Sequence, residues 1–467
     1  MSRIRVAADA TEIVATGLAA IREEFDVPGA FPAEVLREAD AAAASWKDGD
    51  RPDRTDLPLI TLDPASATDL DQAFALEVDG DDFVLRYAIA DLSAFVRPGG
   101  ALERELWQRG VTVYLPDSKA NLHPPVLSEG AASLLPGERR PAVLLSVAVD
   151  GDGESRLLSA ERVVVRSRAK LAYGTVKSNE LPAVLPAFAD RIRAAEDRRG
   201  ASRVEFPEQE VVPDPRRPGA YLLRLRPRLL AEDDNAALSL AANLAVAAAL
   251  FEARTGLFRV MDEPDKREVR ALRHAARALS VEWPQDMDLR TLQRSLDTAD
   301  TNAAAFLIAV RRAGGSASYA PFVEGTVPWH SAIAATYVHA TAPLRRLADR
   351  YVLDAVVAVS AGAVVPEHAT KAFAELPETM RRADSRASKV DRAAIDLVEA
   401  VALHGHEGDV FDAVVVDTDD RDGAKVQLHD VAVMARVVSP GREPGDDLRL
   451  RLVAADPATR RIEFEPV

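Results

Sequence analysis

The sequence predicts an α+β chain in three parts, and three patterns carry that reading. Apolar residues recur at helical spacing from Ala8 to Phe25 and from Phe31 to Trp46. From Leu57 the period changes to the alternation of strands, with a turn at Asp79-Gly80. From Asp409 to Val467 short strand-like runs succeed one another at the spacing of a small β-barrel. The expectation is an N-terminal helical segment over residues 1–53, a mixed sheet with packed helices over 54–405, and a barrel over 406–467.

The elements follow in order. Pro28 and Gly29 end the first helix, and the polar run Asp48 to Thr55 reads as a linker. The helix pair is either a packing appendage or a nucleic-acid contact, since no basic recognition face stands out. Leu59 to Leu62 is a short apolar strand that delivers the chain to Asp63. Phe74, Leu76 and Val78, then Phe83, Leu85, Tyr87 and Ile89, form the two arms of a hairpin. Ala101 to Arg109 is a helix closed by Gly110, followed by alternation through Val111, Val113 and Leu115. Ala236 to Phe251 reads as a buried, alanine-rich core helix, because Ser239 and Asn243 interrupt it and it is short for a membrane span. In the last part, Phe411 to Val416, Ala424 to Leu428, Leu448 to Val453 and Ile462 to Phe464 are the strand candidates.

Composition narrows the chemistry. The 467 residues suggest two to four domains, and 48% hydrophobic content is enough for sizeable cores. The chain has no cysteine, which excludes disulfides, thiolate metal sites and cysteine nucleophiles. A net charge of −16 argues against a protein that coats nucleic acid, but not against an enzyme with a local basic channel. Met1 to Val6 carries arginines with no apolar stretch behind them, so the expectation is a soluble, cytoplasmic chain.

Two segments carry chemistry. The first is Asp63-Pro64-Ala65-Ser66-Ala67-Thr68-Asp69-Leu70-Asp71-Gln72. Three carboxylates this close suit Mg²⁺, which binds hard oxygens and keeps water and substrate phosphate among its ligands. Asp69 and Asp71 are two apart and point the same way in extended backbone. A solvated acidic turn is the competing reading. The second segment is Tyr337-Val338-His339-Ala340-Thr341-Ala342-Pro343-Leu344-Arg345-Arg346-Leu347-Ala348-Asp349. Pro343 fits the first position of a helix, and Leu344, Leu347, Ala348, Tyr351 and Val352 form its apolar stripe. That places Arg345 and Arg346 in the first turn, the wrong end for cations unless an anion binds there. Asp349 is the competing partner for either guanidinium.

Together the segments resemble the catalytic domain of the ribonuclease II (RNB) family, which carries D-P-x-x-x-x-D-x-D-D-A and, far downstream, Y-x-H-x-T-S-P-I-R-R-Y-x-D. Further family-like runs lie between them in the same order: Ile89-Ala90-Asp91-Leu92-Ser93, Arg109-Gly110-Val111-Thr112-Val113-Tyr114-Leu115-Pro116, and Pro124-Pro125-Val126-Leu127-Ser128-Glu129 with Ser133-Leu134. The chain departs from the pattern at Gln72, where the family has a fourth aspartate, and at Ala88, Ala342 and Leu347.

The resemblance implies an RNB catalytic domain, with an OB-type RNA-binding barrel behind it. It implies a hydrolytic 3′→5′ exoribonuclease that releases nucleoside 5′-monophosphates from single-stranded RNA, using one or two Mg²⁺ ions, with Mn²⁺ as their substitute. On this reading Asp63, Asp69, Asp71 and Gln72 are metal ligands, Asp71 also serves the attacking water, and Arg345 neutralises the scissile phosphate. Tyr114 stacks on the 3′-terminal base. Arg346, Arg259, Arg166, Arg168 and Glu232 are RNA-channel candidates, with Arg162, Lys170 and Asn235 behind them; an N-cap is the other role for Asn235. His339 is a structural residue. A non-catalytic RNA-binding protein is the alternative, favoured by Gln72, and a general metal phosphoesterase is the third reading. The family's N-terminal cold-shock barrels have no counterpart in the helical segment. A monomer with no obligate protein partner and no membrane is expected.

Overall fold

The computed structural model describes residues 10–201, 209–214, 221–225, 229–296, 301–313, 315–418, 423–429, 432–442 and 445–467. The arginine-bearing stretch 1–6 lies outside them. In chain order, helices α1 (Ala10–Glu24) and α2 (Ala33–Ser45) precede strands β1 (Ile60–Asp63), β2 (Gln72–Asp79) and β3 (Asp82–Ala90). Helix α3 (Ala101–Arg109) leads to the short strands β4 (Val113–Tyr114) and β5 (Lys119–Ala120), then to β6 (Arg139–Val149), β7 (Ser155–Arg166) and β8 (Ala169–Ala172). Next come α4 (Leu185–Arg199), β9 (Gln209–Pro213), β10 (Tyr221–Leu225), α5 (Leu230–Glu252) and β11 (Leu257–Val260). Helices α6 (Lys266–Ala278), α7 (Leu289–Ser295) and α8 (Thr301–Ala313) form a small unit with its own core around Leu272, Phe306 and Val310. Strands β12 (Ser318–Pro321), β13 (Trp329–His330) and β14 (Ala335–Thr336) return the chain to α9 (Leu347–Ser360) and the long α10 (Glu367–Leu403). Strands β15 (Val410–Thr418), β16 (Gly423–Leu428), β17 (Met434–Val438), β18 (Asp447–Asp456) and β19 (Arg461–Pro466) complete it.

The main sheet has the order β7-β6-β3-β2-β1-β8, antiparallel except for the β1–β8 pair. Its two edge strands are neighbours in sequence: β7 ends at Arg166 and β8 begins at Ala169. Three residue steps reach at most about 11 Å, whereas five strand spacings in a flat sheet would separate the edges by about 24 Å. The sheet therefore curls back on itself. Residues before β1 stitch the seam, since Asp53 bridges Val164 of β7 and the Arg168 amide donates to the Leu59 carbonyl at 2.7 Å.

Helix α5 packs across this sheet with Leu238, Ala241, Ala242, Ala245 and Val246 buried. By length and apolarity alone it would pass as a membrane span, but its burial makes it a core helix. Helices α1 and α2 join the same core through Val14, Leu18, Ile21, Val35 and Ala39. Gly17 lets α1 approach α10 closely, because a Cβ there would lie 2.6 Å from the Leu397 side chain, which would have to shift. Of the two roles weighed for the helix pair, the structure shows packing. The run read as a linker is tied down as well, with Arg139 bonded to Asp48 and Asp53.

Two expectations change. Helix α9 begins at Leu347, not at Pro343, so neither Arg345 nor Arg346 sits in its first turn. Backbone pairing with the strand after α3 takes precedence: the Thr112 amide donates to Arg345 O at 3.0 Å and the Leu347 amide to Gly110 O at 3.0 Å. This holds Arg346 extended, at φ −133°. Asn235 is not an N-cap, since α5 starts five residues earlier at Leu230.

The C-terminal strands have the order β17-β16-β15-β18-β19, and β17 also meets β19, so the sheet nearly closes into a barrel. Alternate residues such as Val426, Leu428, Leu450 and Leu452 fill its core. Strand β17 was not foreseen from the sequence.

Candidate active site

The acidic segment leaves the sheet at the end of β1 and re-enters it at β2. Its loop is pinned from two sides. The Lys170 ammonium donates to the carbonyls of Ala65, at 2.9 Å, and Ala67. Ser133 Oγ donates to Thr68 O at 2.8 Å and accepts from the Leu70 amide at 2.9 Å. The Ala90 amide then donates to Asp71 O at 2.9 Å and fixes the return into the hairpin. The loop is thus a built structure and not a solvated turn.

Residues distant in the chain meet here. Asp71 Oδ1 accepts the Leu344 amide proton at 2.7 Å, across 273 residues. Asp71 Oδ2 faces Arg345 Nε at 3.9 Å. The turn at Pro343–Arg345 therefore aims one backbone N–H and one guanidinium at the same carboxylate. Asp71 is buried, whereas the Arg345 side chain is 47% exposed and open to a ligand.

Electrostatics single out two of the carboxyls. Burial pushes the Asp71 carboxyl up to about 8, against the pull of the Arg345 charge and the Leu344 N–H. Burial pushes Asp63 up to about 7; Lys170 and Arg345 pull it down and Asp69 pushes it up. Asp63 Oδ2 is buried and has no hydrogen-bond partner. Two desolvated carboxyls, one with an orphaned oxygen, form a donor set that a divalent cation would satisfy. Among the described residues, no three carboxylate or imidazole side chains converge into a ready-made cage. A divalent ion held there would have one or two protein carboxylates and would complete its shell with water and phosphate oxygens.

The other sequence candidates divide. Asp69 lies in the same loop, paired with the Lys119 ammonium at 2.9 Å and with the Tyr114 hydroxyl at 3.5 Å. Tyr114 is half-exposed beside it, its ring free for a ligand. Gln72 does not offer a free ligand oxygen: its Oε1 accepts from the hydroxyls of Tyr87 and, at 3.1 Å, Ser239. Burial pushes the Tyr173 hydroxyl up, and the charges of Asp63 and of Glu232, in the first turn of α5, add to the shift. Tyr173 is bonded to Asn235 Nδ2 at 2.9 Å, and its amide donates to Asp63 O at 3.1 Å.

The arginine candidates are engaged within the protein. Of the two roles open to Arg346, the structure shows the pairing with Asp349: its side chain is turned inward, with bonds of 3.0, 3.2 and 2.7 Å. Asp349 is fully buried, so its charge needs that partner. Arg166 and Arg168 lie at the seam of the curled sheet, where Arg168 Nη2 donates to Asp56 O at 2.7 Å. Four residues of strand, about 13 Å, separate that seam from Asp63. Arg162, partly exposed, is paired with the buried Asp91 and Asp354. Arg259 stacks on the Tyr319 ring at 4.6 Å and reaches Asp384 at 3.5 Å, in a packed layer. His339 is in the same layer, 2.8 Å from Tyr319 Oη, where burial and the Arg346 and Arg259 charges hold its imidazole far below the usual range.

Lys119 and the Leu344 amide were missed. The lysine matches none of the motifs quoted above, and a backbone N–H has no residue signature at all.

Residues 51–361 match the RNB domain, and residues 409–467 match the RNase II-type exonuclease C-terminal S1 domain. The chain belongs to the RNB family. It is 27% identical over 427 residues to Ribonuclease R of Thermotoga maritima, covering 85% of this chain and 59% of that protein. Ribonuclease R of Aquifex aeolicus is 25% identical over 500 residues, covering 95% of this chain and 69% of its own length. The chain thus spans roughly 60 to 70% of these relatives. Among solved structures, Mycoplasma genitalium RNase R in complex with ribose-methylated single-stranded RNA superimposes with a TM-score of 0.85 at 19% identity, over 98% of this chain and 78% of the other. At that identity the likeness speaks for the fold.

Proposed function

We propose that this chain is a hydrolytic 3′→5′ exoribonuclease that releases nucleoside 5′-monophosphates from single-stranded RNA and depends on Mg²⁺, with Mn²⁺ able to substitute. The observation that carries the reading is the meeting of Asp71 with the Leu344 amide and Arg345 over a gap of 273 residues. The Ribonuclease R relatives, one of them solved with single-stranded RNA, support it.

Each group has a task. Asp63 and Asp71 would hold the cation, with Asp69 at its edge. Mg²⁺, when bound, polarises the phosphoryl oxygens and lowers the pKa of water. The Leu344 amide takes up Asp71 Oδ1 and so fixes the rotation of the carboxylate, leaving Oδ2 to orient the attacking water and accept its proton. Arg345, half-exposed on the far side of Oδ2, is placed to neutralise charge that grows on the scissile phosphate. Tyr114 offers its ring to the terminal base, and stacking is indifferent to base identity. The chain acts on this reading as a cytoplasmic monomer.

The test is digestion of a 3′-labelled poly(A) strand by the purified protein, with and without Mg²⁺. The expected product is labelled mononucleotide, released first and abolished by chelation. RNA binding without release would make the protein a non-catalytic RNA binder. Hydrolysis of a chromogenic phosphodiester without RNA shortening would make it a general phosphoesterase.

A further inference from the structure

The Lys119 ammonium is clamped at the rim of the acidic pocket. Its Nζ lies 2.9 Å from Asp69 Oδ1, 2.9 Å from Glu129 Oε1 and 3.3 Å from Thr68 Oγ1. Glu129 is steadied in turn by Asn121 Nδ2 at 3.0 Å. Lys119 is also the cross-strand partner of Tyr114 in the β4–β5 hairpin, so its stem is set by strand pairing.

Resting on the exoribonuclease reading, we propose that Lys119 is a built-in cation standing in for a second metal ion, and that the site loads a single divalent ion on Asp63 and Asp71. A two-metal phosphodiesterase holds its ions about 3.5–4 Å apart, one for the attacking and one for the leaving oxygen. Such a pair brings four positive charges that need acidic partners. Here Asp69 Oδ1 is already engaged by the ammonium, which it shares with Glu129. The residue after Asp71 is the neutral Gln72, whose Oε1 is engaged by Tyr87 and Ser239. The two carboxylates of the acidic segment that the ammonium does not touch, Asp63 and Asp71, match the charge of one divalent ion. A further ion on Asp69 Oδ1, at about 2.1 Å, would lie no more than about 5 Å from Nζ, against its charge. Lys119 is thus a positioning residue: it acts through Asp69 and keeps that carboxylate from recruiting metal.

The test counts ions. The full chain, stripped with chelator, is titrated with Mn²⁺ while free Mn²⁺ is followed by electron paramagnetic resonance. The wild type should bind one Mn²⁺ per chain, and its activation by Mn²⁺ should be hyperbolic. Lys119→Arg keeps the charge and should still bind one. The double variant Lys119→Met/Gln72→Asp should bind two. Two bound ions of comparable affinity in the wild type, or sigmoidal activation, would overturn the inference, as would a folded double variant that binds one. A wild type that binds no Mn²⁺ and leaves labelled RNA intact overturns the exoribonuclease reading itself. One that binds two and digests RNA overturns only the role of Lys119.

Discussion

Asp71→Asn separates catalysis from architecture at this site. The amide is isosteric, and its Oδ1 still accepts the Leu344 N–H that lies 2.7 Å from the wild-type oxygen. What is removed is the carboxyl oxygen facing Arg345 Nε at 3.9 Å, which carries its charge once a bound cation offsets the burial that pushes Asp71 up to about 8. At an effective dielectric of 20 that attraction is about 4 kcal/mol. Because the arginine side chain is 47% exposed, solvent and salt reduce its worth to the fold to about 1 kcal/mol or less. The chemical role is larger. Loss of a positioned proton acceptor costs about 10²–10⁴-fold in rate, or about 3–5 kcal/mol of barrier. Single-turnover release of the 3′-terminal nucleotide should therefore fall at least about 100-fold. Affinity for RNA, measured by filter binding, should stay within a few-fold, and the urea midpoint should barely move. Activity within about tenfold of wild type would refute the assignment, since no general-base role is that small. A parallel collapse of RNA binding or of folding would show that Asp71 organises the pocket and takes no part in the reaction.

Other perturbations follow from single contacts. Arg345→Ala should abolish turnover with little change in stability, whereas Arg346→Ala should cost about 3–5 kcal/mol by leaving the Asp349 charge buried and uncompensated; equal effects on urea denaturation would refute the contrast. Tyr114→Ala should lengthen the final undegraded fragment on a sequencing gel, because about 1–3 kcal/mol of stacking is lost from the 3′ end, and an unchanged limit fragment would remove that role. Glu399, buried between α10 and the barrel and bonded to the Met434 amide at 2.9 Å, is pushed up to about 7, mainly by burial. The folded protein therefore keeps a proton there that the unfolded chain releases above about 4.5, and stability should decline as pH rises from about 4.5 to about 7. Glu399→Gln should abolish up to about 3 kcal/mol of that decline, so the two proteins should match at pH 5 and diverge at pH 8. Denaturation curves that diverge at pH 5 instead would contradict it.

Particular residues show how far sequence reading reached. The hairpin was legible because alternation and the Asp79-Gly80 turn are local: β2 and β3 pair from Gln72–Ile89 to Asp79–Asp82. Helix α3 and its Gly110 end were legible for the same reason, with Gly110 at φ +73°. The start of α9 was misjudged, since Pro343 is a good first helical residue but pairing of 345–347 with 110–112 outweighed that local preference. Arg346 left two roles open in sequence, phosphate or Asp349, and only burial of the aspartate decides between them. Gln72 carries a possible ligand oxygen in any motif, but Tyr87 and Ser239 claim it once α5 packs on the sheet.

By itself the sequence determined the family and the α+β class, and it singled out Asp63, Asp69, Asp71 and Arg345 as the candidates for chemistry. All of these rest on patterns along the chain: periodicity, ordered motifs and residue type. Only the tertiary structure decided that a backbone amide fixes Asp71, that a lysine engages Asp69, that Arg166 and Arg168 lie at the far end of β1, and that the N-terminal helices belong to the core. Those outcomes depend on which surfaces meet and which charges lose water when they do, and neither quantity is written in the spacing of residues.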